Sequence, residues 1–147
     1  DGIDIDWEFP VSGGLEANKT RKEDKPNYTL LLAEVRKQLD VAGEADGKQY
    51  LLTIAAPASP KIIANLEIDK IHPHLDWTNV MTYDFHGSWD ATTHFHSPLF
   101  AIKDDPVTDD VMKRQFNADA AIKTYLAAGV PAEKLVMGVP FYGRGWT

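Results

Sequence analysis

The most constraining feature of this chain is its first eight residues, Asp-Gly-Ile-Asp-Ile-Asp-Trp-Glu. Because alternate side chains of a β-strand point to opposite faces, one face would carry the carboxylates of Asp4, Asp6 and Glu8. The other face would be apolar. Neighbouring acids in such a row lie roughly 6–7 Å apart at Cα. Like charges held this close in a low dielectric cannot all stay ionised, so crowding raises the pKa of one carboxyl. The segment therefore predicts a site of proton transfer.

Two other interpretations of the acidic row are weaker. A calcium-binding loop also spaces its acids, but it needs a turn-forming Gly in mid-loop and a bidentate Glu at its end. Here Ile and Trp separate the acids and no such Gly follows, so no metal site is expected. A solvated edge strand would explain the alternation but not the apolar second face. The pattern favours catalysis.

Strand-like and helix-like segments alternate along the chain, which predicts an α/β fold with parallel strands and helices packed on the sheet. Apolar runs predict strands, and helical spacing with capping residues predicts helices. The predicted strands are the acidic segment at the start and residues 50–56, 77–85 and 135–141. The predicted helices begin near Asn27, near Ser59 and at Asn117, and residues 86–106 are predicted to be irregular. Four strands and three helices make about half of an eight-stranded barrel, although the pattern also permits an open doubly wound sheet.

Composition limits the possible partners. The chain has 147 residues, enough for one domain with a core, and its formal net charge of −7 argues against nucleic acid or an anionic membrane. No apolar run approaches the roughly 20 residues of a membrane span. The chain shows no signal peptide and opens inside a motif without an initiator Met. We expect an internal piece of a longer protein.

Three motifs resemble those of the family 18 glycoside hydrolases, the chitinases. They are DGIDIDWEFP at residues 1–10, MTYDFHGSWD at residues 81–90 and GVPFYGRGW at residues 138–146. The resemblance implies the TIM (β/α)8 barrel of that family, with this chain as a partial barrel, about half, that corresponds to strands four to seven. Residues 1–147 would then be part of one glycoside hydrolase catalytic domain, with the N-terminal strands and the last strand missing. Because a half barrel exposes two strand edges, we expect the isolated chain to be poorly active or inactive.

The resemblance also implies catalytic roles for four residues. Glu8 matches the general acid that protonates the glycosidic oxygen and then acts as a base toward water. Asp6 matches the residue that orients the substrate's N-acetyl group, and Asp4 matches the partner that shares a proton with Asp6. Tyr83 matches the hydroxyl that hydrogen-bonds the same amide. In this family the acetamido oxygen of the substrate replaces a second carboxylate as the nucleophile.

Five further residues are candidates for substrate binding. They are Met81, Asp84, Trp89, Tyr142 and Arg144. The resemblance makes Met81 an apolar contact on the pocket floor and the charged and hydroxyl groups polar contacts to sugar. Trp89 is a candidate sugar platform, since an aromatic ring offers a flat apolar face to pyranose C–H groups. Strict alternation would turn Asp84 away from Tyr83, so we expect the strand to end and its pleat to break there.

Other conspicuous side chains are expected to be structural. Trp7 would face away from the acids and pack between the sheet and a helix. We interpret His86, His94 and His96 as groups that order a loop. A single His-x-His pair on a loop is a weak metal signal without further convergent ligands.

Together, the motifs predict a chitinase that hydrolyses β-1,4 bonds between N-acetylglucosamine units in endo mode with retention. Its partners would be chitin or chito-oligosaccharides, with no cofactor and no obligate protein partner. The resemblance implies a secreted enzyme. One alternative is an endo-β-N-acetylglucosaminidase acting on N-glycans, against which MTYDFHGSWD and the YGR sequence favour chitinase. Another is a non-catalytic, lectin-like chitin-binding protein. Such proteins lose the acid that Glu8 supplies here.

Overall fold

A computed structural model describes residues 1–147 as one parallel sheet flanked by helices. The strands are β1 (Gly2–Ile5), β2 (Leu51–Ala56), β3 (Trp77–Val80) and β4 (Leu135–Met137). The helices are α1 (Asp24–Asp46), α2 (Pro60–Ile63), α3 (Ile68–Ile71), α4 (Asp110–Gln115) and α5 (Ala118–Ala127). The strands pair in parallel in the order β1-β2-β3-β4. This order follows the chain without reversal, as in the wall of a barrel and unlike a doubly wound sheet. The predicted partial barrel is confirmed.

The two faces of the sheet differ in polarity. In β2, Leu52 and Ile54 are at most 1% exposed and belong to the apolar core, whereas Thr53 between them faces the opposite side. Register pairs Thr53 directly with Asp4 of β1. The face that carries the acids is therefore polar and faces away from the helices.

The core lies between the sheet and the helices. From α1 it receives Tyr28 and Leu32, and from α5 it receives Ala121 and Tyr125. The Tyr125 hydroxyl donates a hydrogen bond of 2.8 Å to the carbonyl of Pro57 just after β2. Helix α5 is thereby tied to the end of the sheet where the acids lie.

Helix α1 begins three residues before the predicted start at Asn27. The reason is Asp24, whose buried carboxylate accepts hydrogen bonds from the backbone N–H and Nε of Arg21. A carboxylate in the first turn also stabilises the helix dipole. Gly47 ends the helix with a left-handed φ of 65°. Helix α1 has 23 residues, but no helix of the structure is both long and apolar enough to cross a membrane.

Several predicted elements have different bounds in the structure. The helix predicted from Ser59 is split into α2 and α3, because burial of Ile63, Leu66, Ile68 and Ile71 at a spacing of three, two and three does not fit one continuous helical face. Helix α4 lies after the predicted irregular segment and was missed. It is capped by the Asp109 carboxylate, which accepts from two backbone N–H groups. All four strands are shorter than predicted, and β1 ends before Asp6.

Candidate active site

The carboxyl ends of three strands bring the predicted site residues to one edge of the sheet. The side chains that follow β1, β3 and β4 there are Asp6, Glu8, Tyr83, Asp84, Tyr142 and Arg144. Parallel strands that end at one edge of a barrel place their next residues around a common mouth. A cleft of about 840 Å³ opens at this edge, and Asp6, Glu8, Asp84, Trp89 and Arg144 all line it.

Asp4 lies inside β1, and its carboxylate is held by the neighbouring strands. The Thr53 hydroxyl donates a short hydrogen bond to Asp4 Oδ1, and Asn79 Nδ2 lies 3.5 Å from the same oxygen. Trp77 Nε1 donates to Asn79 Oδ1 at 3.0 Å, which turns the amide so that its NH2 group faces Asp4. The Thr53 hydrogen bond and the longer Asn79 contact connect Asp4 to β2 and β3 rather than to Asp6, and a proton shared between Asp4 and Asp6 stays a prediction.

Glu8 lies three residues beyond β1 and is exposed to the cleft, near two other acids. Partial desolvation by the surrounding chain raises the pKa of the Glu8 carboxyl above its usual value, and the charges of Asp6 and then Asp84 raise it further. A raised pKa keeps a carboxyl protonated closer to neutral pH, which is the state that a general acid needs. The sequence predicted crowding within the acidic row, and the structure adds Asp84 from the end of β3.

Tyr83 and Asp84 lie beyond the end of β3, where the backbone leaves the extended conformation. Asp84 has a φ of 55°, so the predicted break of the pleat at this residue is confirmed. Burial raises the pKa of the Tyr83 hydroxyl, and Asp6, Glu8 and Asp84 raise it further. The phenol therefore keeps its proton and can act as a hydrogen-bond donor in the cleft.

Asp84 connects the end of β3 to the segment after β4. Its Oδ1 accepts a hydrogen bond from Arg144 Nε at 2.8 Å and forms an ion pair with the same guanidinium, whose Nη2 lies 2.7 Å away. The Arg144 guanidinium lies 5.0 Å from the Trp89 ring centroid and 5.5 Å from that of Tyr142. His96 Nδ1 lies 3.6 Å from the same Asp84 oxygen. Asp84, Trp89, Tyr142 and Arg144 therefore form one cluster.

Met81 lines a second, smaller pocket of about 180 Å³. Apolar side chains dominate its lining, among them Phe9 and Ile62, and Tyr83 contributes its ring. Glu8 and Asp84 line both this pocket and the larger cleft. The acid with the raised pKa thus lies at the junction of a small apolar pocket and a wide polar cleft.

The histidines and Trp7 contact structural partners. The His86 and His94 rings stack with centroids 4.0 Å apart, His86 Nδ1 lies 3.4 Å from Asp90, and His94 Nε2 lies 3.2 Å from Asp105. These contacts fit the predicted role of ordering the loop. Trp7 packs edge-on against Tyr28 of α1 at 5.4 Å, which confirms its predicted packing between sheet and helix.

Sequence reasoning missed three residues near the acids. Thr53 and Asn79 contact Asp4, and the period of two within β2 and β3 could have placed them on its face. Asn18 donates a hydrogen bond from its side chain to the Glu8 carbonyl at 2.8 Å. No periodic signal in the sequence indicates that contact, because it depends on how the loop folds.

Parallel strands whose carboxyl ends carry acids and aromatic side chains around one cleft define an α/β-barrel domain with a candidate active site at that edge. The sequence matches the family described as Glycosyl hydrolases family 18 over residues 1–147. The chain belongs to this family.

Individual relatives agree with that assignment. Chitinase A1 of Niallia circulans is 53% identical over 99% of this chain and 21% of its own length. The catalytic domain of psychrophilic chitinase B from Arthrobacter TAD20 is 41% identical, with a TM-score of 0.92 over 100% of this chain and 34% of that one. A mutant of the Ostrinia furnacalis Group II chitinase catalytic domain 2, in complex with penta-N-acetylchitooctaose (NAG)5, is 33% identical. Its TM-score is 0.81, and the match covers 96% of this chain and 34% of that one. The chain spans between 6% and 32% of the length of the curated relatives it matches.

Proposed function

We propose that the full-length protein is a chitinase that cleaves β-1,4 bonds between N-acetylglucosamine units of chitin in endo mode, with retention of configuration. The observation that carries the proposal is Glu8, an acid with a raised pKa between an apolar pocket and a polar cleft. Support for the substrate comes from the names of the relatives and from the chito-oligosaccharide bound to one of them.

The proposed reaction has two steps. In the first, the acetamido oxygen of the substrate attacks the anomeric carbon while the glycosidic bond breaks, and the departing oxygen takes the proton of Glu8. In the second, water attacks the same carbon, the bond from that carbon to the acetamido oxygen breaks, and the water gives a proton to the Glu8 carboxylate, which restores the acid. Two attacks from opposite faces retain the configuration. The raised pKa of Glu8 supports the first step, since it favours the protonated acid.

Asp6, Asp4 and Tyr83 are proposed to manage the acetamido group. Tyr83 keeps its proton and would donate a hydrogen bond to the acetamido oxygen. The Asp6 carboxylate would orient the amide N–H and stabilise the positive charge of the cyclic intermediate. Asp4 would support Asp6 from within the strand, held in place by Thr53.

The substrate-binding residues divide between the two cavities. Met81 lines the small apolar pocket, which would take the apolar part of the sugar or of its acetyl group. Trp89 is 59% exposed and would offer its ring to a pyranose. Asp84 and Arg144, which line the larger cleft, would hydrogen-bond sugar hydroxyls together with Tyr142.

We also propose that residues 1–147 are part of one catalytic domain that continues beyond both outer strands. Ile3 on β1 is 42% exposed, and Val136 and Met137 on β4 are 47% and 44% exposed, which is costly for apolar residues of an edge strand. Further strands of the barrel would cover them. Secretion is proposed from the family resemblance, since a solid polymer outside the cell requires an enzyme outside the cell.

The experiment gives the full-length protein chitin oligomers and N-glycans side by side and follows the products by NMR. We expect cleavage of the oligomers at internal bonds, with the β-anomer formed first. Release of the α-anomer first would contradict retention. Cleavage of N-glycans alone would favour the endo-β-N-acetylglucosaminidase, and binding without cleavage of either substrate would favour a lectin.

A further inference from the structure

We infer that Asn18 is a positioning residue that fixes the main chain of Glu8 through its carbonyl group. The inference rests on the proposed function, in which Glu8 is the general acid. The Asn18 side chain donates a hydrogen bond from Nδ2 to the Glu8 carbonyl oxygen at 2.8 Å. Asn18 lies ten positions after Glu8, so this contact joins the acid to the loop of residues 11–20.

The loop is folded so that it closes over this carbonyl. Val11, Gly13 and Gly14 have φ values of 71°, 93° and 76°, which turn the chain back sharply. A Cβ added at Gly14 would collide with the Glu8 carbonyl oxygen, so the loop approaches closer than any other residue type permits. The Asn18 N–H donates to the Leu15 carbonyl at 3.0 Å, which holds the Asn18 backbone in place.

Asn18 is the one hydrogen-bonding anchor of Glu8 itself, between Trp7, which packs against Tyr28, and the buried Pro10. Glu8 lies outside the strand ladder, since β1 ends at Ile5. Its carbonyl accepts a hydrogen bond from Asn18 alone, and its carboxyl makes no hydrogen bond within the chain. The position of the carboxyl is therefore set by the main chain, where Asn18 fixes the Glu8 carbonyl. A general acid must stand within about 2.6–3.2 Å of the oxygen it protonates, and small misplacements are costly.

The test compares two substrates in the full-length protein. Cleavage of a chitin oligomer requires protonation of the departing sugar oxygen. A 2,4-dinitrophenyl β-chitobioside has a leaving group that departs without a proton. Loss of a well-placed acid therefore lowers kcat/KM for the oligomer and spares the aryl glycoside, whereas damage to folding or to sugar binding lowers both.

For Asn18→Ala we expect kcat/KM for the oligomer to fall about 3- to 10-fold, the loss expected for one hydrogen bond, and kcat/KM for the aryl glycoside to change less than about twofold. Asn18→Asp, which cannot donate to a carbonyl when ionised, should behave in the same way. The matched control is Asn65→Ala. Asn65 Nδ2 also donates a 2.8 Å hydrogen bond to this loop, but to the Ser12 hydroxyl. This control should leave both substrates unaffected.

Three outcomes would overturn the inference. They are equal losses on both substrates in Asn18→Ala, no loss on either, or the same selective loss in Asn65→Ala. A wild-type protein that cleaves neither substrate would overturn the proposed function as well, so the two failures are distinguishable.

Discussion

The hydrogen bond between Thr53 and Asp4 allows a quantitative prediction about the support of the acidic row. Thr53→Val removes the hydroxyl and keeps the β-branched shape of the side chain. Thr53 is 5% exposed and its partner is a carboxylate, and hydrogen bonds to charged groups contribute about 1.5–3 kcal/mol to stability. Asn79 cannot replace the lost donor, because its Nδ2 is 3.5 Å away, beyond the usual range.

We therefore expect Thr53→Val to lower the free energy of unfolding of the full-length protein by about 1.5–3 kcal/mol in urea denaturation. If half of that free energy is also lost from the transition state, kcat for chitin oligomers falls about 3- to 10-fold. The matched control is Thr78→Val on β3. Thr78 is 3% exposed, and its hydroxyl makes no hydrogen bond within the chain. Equal unfolding free energies and equal kcat values for the two variants would refute the reasoning.

Two further predictions concern proton binding. Because the Asp6 charge raises the pKa of Glu8, Asp6→Asn should lower that pKa. Carbon-13 NMR of the Glu8 carboxyl should show the titration at lower pH. Asp84→Asn should shift the titration in the same direction by a smaller amount. An unchanged titration in Asp6→Asn would contradict the assigned cause. Burial and then the neighbouring His94 lower the pKa of His86 in the folded state. Below about pH 6.5 the unfolded state therefore binds more protons than the folded state, and the free energy of unfolding decreases as the pH falls. His86→Gln should remove part of that acid-induced loss in urea denaturation, and an identical loss in both proteins would show that His86 does not contribute.

The fold could be predicted largely because its signals are periodic. The alternating acidic segment located β1, largely apolar segments located the other three strands, and the alternation of strand and helix predicted the parallel sheet. Bounds were less accurate where tertiary contacts override local pattern. Helix α1 starts at Asp24 because a buried carboxylate pairs with Arg21, which no spacing rule indicates. Helix α4 has six residues and no buried face, so it leaves no periodic pattern.

The candidate site was predictable where motif and strand geometry coincide. The acidic row and the break of the pleat at Asp84 both followed from the period of two. The connection of Asp84 to Arg144 spans 60 residues, and it depends on the neighbouring positions of β3 and β4 in the sheet. The contact between Asn18 and Glu8 depends on positive φ angles in a loop, which single-sequence patterns do not report.

The most direct test of the account is the rate of Glu8→Gln, which removes the proton and preserves the shape of the side chain. In the full-length protein we predict that kcat/KM for chitin oligomers falls by at least about two orders of magnitude, within the usual 10²–10⁴-fold range of acid–base catalysis. Binding of the same oligomers, measured by calorimetry, should persist. Turnover by Glu8→Gln at close to the wild-type rate would contradict the assignment of Glu8 as the acid.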